Sequence, residues 1–121
     1  MTFPHINVKA TNYTVTPKLE TLLDQKFMPL GKLLDDRNEV LCEVELEKVA
    51  EHQSGKIYRA EVNLTVNGKL FRTEATEEEM EQAIDSARND LKAELQRANG
   101  RRHSLVRKGG QMLKDMIRSG K

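Results

Sequence analysis

A hairpin in the middle of the sequence constrains the fold more than any other feature. Residues 58–66 place apolar side chains at every second position, with polar side chains between them. This alternation is typical of a strand that is buried on one face only. Asn67-Gly68 comes next, and it favours a type I′ turn because both central positions of that turn need positive φ. We therefore predict a β-hairpin whose return strand covers residues 69–75.

Two further strands are predicted upstream of this hairpin. Residues 40–47 place apolar side chains at every second position, and glutamates fill most of the positions between them. Residues 3–10 alternate more loosely, with Ile6, Val8 and Ala10 on one side. Each stretch predicts a strand with one face in the core and the other in water.

A first helix is predicted between these two strands. Thr16 and Pro17 mark its start, because Thr is a favoured N-cap and Pro at the first helical position leaves no N–H unbonded. Apolar residues then recur at steps of three and four as far as Leu34. Pro29 lies inside this stripe and removes a helical hydrogen bond. We expect a kink or break near residues 25–29 and a last turn that ends near Leu34.

A second helix is predicted after the hairpin. Thr76 and Glu79 have the spacing of a capping box, in which the two side chains satisfy free backbone N–H groups. An apolar stripe begins at Met80, and Asn99-Gly100 predicts the end of the helix. Clustered apolar residues at 111–118 allow a short separate helix.

The order of elements is therefore β-α-β-β-β-α, followed by a tail. This order predicts the α+β class, as a two-layer domain with a four-stranded sheet and both helices on one face. The first strand has to pair across the first helix, parallel to a neighbour in the same sheet. We expect residues 1–100 to form this domain and residues 101–121 to form a basic tail.

Charge is distributed very unevenly along the chain. Residues 88–121 contain ten basic and three acidic side chains and so carry +7, whereas the whole chain carries +1 and residues 1–87 carry −6. Part of this gradient complements the helix dipole, which favours acids at the start of a helix and bases at its end. The excess continues beyond the helix, however, and the natural partner of such a segment is a polyanion.

The residue types that carry catalysis or bind metals do not form a pattern. His5, His52 and His103 are scattered, and with Cys42 they lack metal-ligand spacing. Cys42 alternates in phase with the apolar face of its strand, so we expect a buried small hydrophobe. Glu43, with the glutamates that follow it at every second position, is typical of a solvated strand face. We predict no enzyme, no catalytic residue, no cofactor, no metal site and no small-molecule substrate.

No stretch of the sequence predicts a membrane span or a secretory signal. The chain lacks a run of about 18 apolar residues, and its N-terminus lacks a basic segment followed by an apolar one. A lone cysteine suits a reducing compartment. We therefore expect a cytoplasmic protein with no membrane partner.

Candidate nucleic-acid contacts are the basic residues of both helices, the last strand and the tail. Arg88 and Lys92 stack in one column of the second helix, and Arg97 begins a second column nearly opposite. No aromatic residue lies in the basic segment, so we expect contacts with phosphates and with the shape of folded RNA. The candidate RNA-binding residues are Lys26, Lys32, Arg72, Arg88, Lys92, Arg97, Arg101, Arg102, Arg107 and Lys108.

An ordered set of residues across positions 5–98 resembles a known family. It comprises Ile6-Asn7-Val8, Asn12, Val15-Thr16-Pro17-Lys18-Leu19, Lys26-Phe27, Leu30, Glu47-Lys48-Val49, the run from Ala60 to Gly68, Met80, Ala83-Ile84-Asp85 and Leu91. These residues resemble the ribosome hibernation factors, namely the short hibernation-promoting factors and the ribosome-associated translation inhibitors. The sequence departs from the family at Pro29, Glu81, Asp90 and Ala93, where basic or tyrosine side chains are usual. These departures reduce the number of basic side chains on the two helices.

The resemblance implies a fold like that of a double-stranded RNA-binding domain. It also implies binding to the small ribosomal subunit and its rRNA, in the channel that mRNA and tRNA occupy. Such a factor blocks translation and stabilises idle ribosomes under stress or in stationary phase, and it is expected to be monomeric away from the ribosome. The alternative is a protein-interaction module that docks a partner through its C-terminal segment, with Met112, Leu113, Met116 and Ile117 on the docking helix.

Overall fold

The computed structural model describes residues 3–35, 38–49 and 55–117, and over residues 101–117 it describes the backbone alone. Its strands are β1 (Ile6–Thr11), β2 (Val40–Lys48), β3 (Tyr58–Val66) and β4 (Lys69–Glu77). They form one sheet in the order β1-β2-β3-β4, in which β1 is parallel to β2 and the other neighbours are antiparallel. The predicted parallel pairing across the first helix is confirmed.

The hairpin between β3 and β4 has the predicted turn. Asn67 and Gly68 adopt φ values of 51° and 86°, so both central positions are in the left-handed region. Asn67 also ties the turn to the start of β2, because its Oδ1 accepts a hydrogen bond of 2.7 Å from the backbone N–H of Glu39. This contact fixes the end of the sheet at which three strands meet.

The first helix breaks where the proline predicted it. Helix α1 (Pro17–Phe27) begins at the N-cap Thr16, whose hydroxyl accepts a 3.1 Å hydrogen bond from the N–H of Leu19. A 3₁₀ helix (Met28–Leu33) follows directly, with Pro29 near its start. Because Pro29 cannot donate a backbone hydrogen bond, the chain tightens here before it turns to extended structure at Leu34.

Helix α2 (Met80–Ile117) starts later than the capping-box pattern predicted, so Thr76 is not its N-cap. Thr76 instead belongs to β4, where it pairs with Arg59 of β3. The first helical hydrogen bond runs from the N–H of Ala83 to the carbonyl of Glu79, at 3.1 Å. Cross-strand pairing with β3 extends β4 past the local capping signal.

The predicted end of α2 at Asn99-Gly100 is wrong, because the helix continues to Ile117. Gly100 does not adopt positive φ, and an interior helical glycine costs only about 1 kcal/mol relative to alanine. Asn99 is recruited into a tertiary contact, since its Nδ2 donates a 3.1 Å hydrogen bond to the carbonyl of Leu33. The helix predicted at 111–118 is thus part of α2 as far as Ile117. The division into a domain at 1–100 and a tail at 101–121 stays a prediction.

The core lies between one face of the sheet and the two helices. Helix α2 packs on β3 and β4, and α1 packs on β1. The largest buried side chains come from α1, from the 3₁₀ helix, from the inner face of the sheet and from α2; they include Phe27, Leu23, Leu30, Leu46, Leu64, Ile84 and Leu91. The two-layer α+β fold with both helices on one face is confirmed.

Candidate nucleic-acid interface

Lys26, Arg88 and Lys92 lie along the junction between α1 and α2, and Lys32 is an exposed residue of the 3₁₀ helix that follows α1. We call Lys26, Lys32, Arg88 and Lys92 the helix-side basic surface. Arg88 connects the two sides, because its Nε donates a 2.9 Å hydrogen bond to the main-chain carbonyl of Lys26. Its Nη1 donates a second bond, of 2.8 Å, to Oδ1 of Asn89. The orientation of the guanidinium is therefore set by the fold before any ligand arrives.

Lys26 is largely neutralised by acidic residues of α2. Its Nζ lies 2.6 Å from Oδ1 of Asp85 and 3.6 Å from Oε2 of Glu81, and its side chain is only 20% exposed. The hydrogen bond to Asp85 is the main cause that raises the pKa of Lys26, and it outweighs burial, which acts in the opposite direction. Lys26 therefore offers less charge to an external anion than its position in the sequence suggests.

Lys32 and Lys92 are the two cations of this surface that stay unpaired. Within the part of the chain that the structure describes, neither has an ion-pair or hydrogen-bond partner. Lys92 lies one helical turn beyond Arg88 and so on the same side of α2. Because Arg88 touches Lys26 and Asn99 touches Leu33, Lys92 falls between two fixed contacts. These two ammonium groups are available to phosphates.

Arg97 lies on the other side of α2. Nine residues separate it from Arg88, which at about 100° per residue amounts to half a turn. Its side chain is 61% exposed and pairs with Glu94 at 3.4 Å, one turn earlier in the helix. The structure thus places Arg97 on the opposite side of α2 from Arg88 and Lys92, and among these three described residues Arg88 is the one that contacts α1.

Arg72 lies on the outer face of the sheet, away from the helices. Its Nε is 2.7 Å from Oδ1 of Asn63 and 3.0 Å from Oε2 of Glu61. The structure therefore does not bring Arg72 together with the helix-side basic surface. The side chains of Arg101, Arg102, Arg107 and Lys108 lie outside the described residues.

Sequence reasoning missed the acidic partners of the basic residues. Asp85 and Glu81 occupy the same side of α2 as Arg88, and this much is visible in their spacing. Their contact with Lys26 is not visible, because it joins two helices that are distant in sequence. Arg59 of β3 also pairs with an acidic residue, Glu74 of β4, at 2.5 Å across the hairpin.

The described part of the chain holds neither a cluster of metal ligands nor a membrane-spanning helix. Among its residues, no group of three or more His, Cys, Asp and Glu side chains is arranged to hold a metal ion. In the same residues, no helix has the length and apolar character needed to cross a membrane. Cys42 is fully buried, and this burial is the main cause that raises the pKa of its thiol to about 12.

Several solved structures share this fold. The crystal structure of the Thermus thermophilus Protein Y N-terminal domain superposes with a TM-score of 0.61 at 24% identity, covering 75% of this chain and 97% of that one. A ribosomal subunit interface protein from Coxiella burnetii also gives 0.61, at 17% identity, covering 80% of this chain and 99% of that one. No curated protein matches the sequence.

A family model extends this likeness from fold to sequence. The model described as Sigma 54 modulation protein / S30EA ribosomal protein matches residues 6–103, which is most of the chain. The match spans the residues that resemble the ribosome hibernation factors, and that resemblance is confirmed. The chain belongs to the Sigma 54 modulation protein / S30EA ribosomal protein family.

Proposed function

We propose that this protein is a non-enzymatic factor that binds the ribosome and keeps it idle. It occupies the channel of the small subunit that mRNA and tRNA would use, blocks translation and stabilises inactive ribosomes under stress or in stationary phase. Membership of a ribosomal protein family is the observation that carries this proposal. The fold shared with a ribosomal subunit interface protein supports it.

The helix-side basic surface is the part of the molecule suited to contact rRNA. Lys32 and Lys92 supply unpaired ammonium groups, and Arg88 supplies a guanidinium whose orientation is already fixed. Phosphates recognise such groups as point charges or through the planar geometry of arginine. The side chains of Arg97, Arg101, Arg102, Arg107 and Lys108 would add further phosphate contacts along α2.

Inhibition would be steric and would need no chemical step. A domain held by phosphate contacts inside the channel excludes mRNA and tRNA because two molecules cannot share the same volume. The factor acts in the cytoplasm, on the small subunit and its rRNA, as a monomer between binding events. It needs neither a cofactor nor a small-molecule substrate.

Co-sedimentation with ribosomes through sucrose gradients tests this proposal. The wild-type protein should travel with small subunits at low salt and dissociate at high salt, because phosphate contacts release counterions. The double variant Lys32→Ala/Lys92→Ala should bind more weakly and reduce the salt dependence by about two contacts. The matched control is Lys9→Ala/Lys56→Ala, which removes the same charge away from the helix-side basic surface and should bind like wild type.

Competition distinguishes the channel from other ribosomal sites. Ribosomes that already hold mRNA and tRNA should take up much less of the protein than empty ribosomes. Failure to co-sediment at low salt would refute ribosome binding itself. Equal uptake by empty and loaded ribosomes would leave ribosome binding intact but refute occupancy of the channel.

A further inference from the structure

The outer face of the sheet is a second surface, and it differs from the helix side in charge and shape. The helices pack against the inner face, so no described element covers the outer one. The pairing register arranges its side chains in rows that cross the strands. From the β3–β4 turn inward, the first three rows are Leu41, Thr65 and Leu70; then Asn7, Glu43, Asn63 and Arg72; then Lys9, Glu45, Glu61 and Glu74.

The first row exposes two leucines. Leu41 on β2 is 48% exposed and Leu70 on β4 is 51% exposed. Thr65 of β3 lies between them in register. Their backbones are therefore about 10 Å apart, which is twice the spacing of neighbouring strands. Scattered exposed leucines are common, but these two share one row and one face.

Most acidic residues of the outer face are already neutralised within the sheet. Arg59 pairs with Glu47 at 3.5 Å, with Glu74 at 2.5 Å and with Glu61, and Arg72 holds the other oxygen of Glu61 at 3.0 Å. These contacts leave little charge for a partner in that part of the face.

Glu43 and Glu45 are different. Both are exposed, and in the described part of the chain neither has an ion pair or hydrogen bond. They line a shallow depression of about 340 Å³ together with the cations Lys9 and Arg72 and with Leu70, and Lys9 is the register neighbour of Glu45. In total, the face carries Lys9, Arg59 and Arg72 against Glu43, Glu45, Glu47, Glu61 and Glu74, an excess of two negative charges. An RNA backbone is therefore repelled here, whereas a cationic ligand is attracted.

We propose that this outer face binds an extended, basic protein segment. Leu41, Glu43 and Glu45 follow one another on one face of β2, at intervals of about 7 Å. An extended ligand presents its own alternate residues at nearly the same interval. The matching ligand therefore has an apolar residue at position i and lysine or arginine at i+2 and i+4. The apolar residue packs between the leucines, and the two cations meet the unpaired carboxylates. This surface is independent of the helix-side basic surface, so the protein can hold RNA on one side and a basic polypeptide on the other.

A peptide titration followed by backbone NMR tests the proposal. The probe is a synthetic peptide, acetyl-Ser-Leu-Ser-Lys-Ser-Lys-Ser-amide. One control peptide has the leucine between the two lysines, and a second has both lysines replaced by glutamate. The probe should shift amide signals of β2, β3 and β4 and leave those of α1 unchanged. The variants Glu43→Gln/Glu45→Gln and Leu41→Ser/Leu70→Ser should each weaken its binding about five-fold. Lys32→Ala/Lys92→Ala should bind it like wild type.

Several results would overturn the proposal. Equal affinity for the probe and for the control with leucine between the lysines would mean that the net charge of the peptide alone sets its affinity. Shifts confined to α1 and α2 would place the binding on the other side. Concentration-dependent self-association that shifts the same outer-face amides would assign the face to a second copy of the chain, and an RNA oligonucleotide that shifts them would assign it to nucleic acid. Because the substituted side chains are exposed, circular dichroism melts should match wild type and keep all variants interpretable.

Discussion

The guanidinium of Arg88 caps the C-terminal end of α1 from a neighbouring helix, since its Nε donates a 2.9 Å hydrogen bond to the carbonyl oxygen of Lys26. Carbonyls in the last turn of a helix lack partners within the helix, and a positive charge there also complements the helix dipole. Arg88 thus supports the packing of α1 on α2 in addition to contributing charge to the helix-side basic surface. Lys92, one turn away, has no such structural contact within the described residues.

Replacement of Arg88 by methionine should therefore reduce stability. The Arg88→Met variant keeps most of the side-chain volume but leaves the Lys26 carbonyl without its charged donor, and we expect a loss of about 1–2 kcal/mol. Lys92→Met should change the free energy of unfolding by less than about 0.5 kcal/mol. Urea denaturation monitored by circular dichroism measures both values. Equal stability of the two variants would show that the capping contact contributes nothing.

Removal of the acidic partners of Lys26 should strengthen ribosome binding. In Asp85→Asn/Glu81→Gln, the Lys26 ammonium loses both neutralising carboxylates and becomes available to phosphate. We expect affinity to rise about two- to five-fold at low salt, with the gain shrinking as salt screens the added charge. Glu43→Gln/Glu45→Gln is the matched control, because it also removes two exposed carboxylates, and both lie on the outer face of the sheet, away from Lys26. A gain of the same size in this control would mean that net charge alone sets affinity.

The ion network of the outer sheet face should make stability depend on acid. Burial alone would raise the pKa of Glu61, but hydrogen bonds from Arg59 and Asn63 hold it below its ordinary value of 4.5. A carboxyl whose pKa is lowered by folding stabilises the protein above its unfolded pKa, and this contribution is lost as pH falls through the folded value. Wild type should therefore lose stability as pH falls below about 4.5.

In Arg59→Met, the pKa of Glu61 should rise. The free energy of unfolding should then fall less steeply as pH is lowered below about 4.5. Urea denaturation between pH 7 and pH 3 measures the difference. Lys48→Met, at the end of the neighbouring strand β2, is the control and should keep the wild-type slope. An unchanged slope in Arg59→Met would show that the Arg59–Glu61 contact does not set the acid response.

The buried thiol of Cys42 should be inert in the folded protein. The side chain is fully buried and its pKa is raised to about 12, so almost no thiolate exists at pH 8. Reaction with a disulfide reagent such as Ellman's should be slow without denaturant and complete within seconds in concentrated urea. Fast reaction under native conditions would show that β2 opens frequently.

Local patterns predicted most elements. The alternation of the strands, the Asn67-Gly68 turn and the break at Pro29 each depend on residues that are close together in the sequence. The two errors at the ends of α2 have a common physical cause. Thr76 is held in β4 by pairing with Arg59, and Asn99 is held in the helix by its contact with Leu33. Both partners are distant in sequence and overrule the local capping signals.

The candidate site was less accessible to sequence reasoning than the fold. Composition revealed the excess of basic residues, and helical spacing separated Arg88 from Arg97. The sequence did not reveal which basic side chains are neutralised, because their neutralisation depends on contacts between elements, such as the ion pair of Lys26 with Asp85. Nor did it place Arg72 on a surface distinct from that of the helices.

The parallel pairing of β1 with β2 has a consequence for the order of folding. Two residues suffice to connect β3 and β4, whereas Asn7 of β1 contacts the carbonyl of Cys42, 35 positions away. Closing that long loop costs more entropy than closing a hairpin, so we expect the three-stranded meander to form early and β1 to join late. Pulse-labelling hydrogen exchange should then protect amides of β3 before those of β1, and simultaneous protection would contradict this order. During synthesis, β1 leaves the ribosome before the other strands, yet it would be the last strand to pair within the sheet.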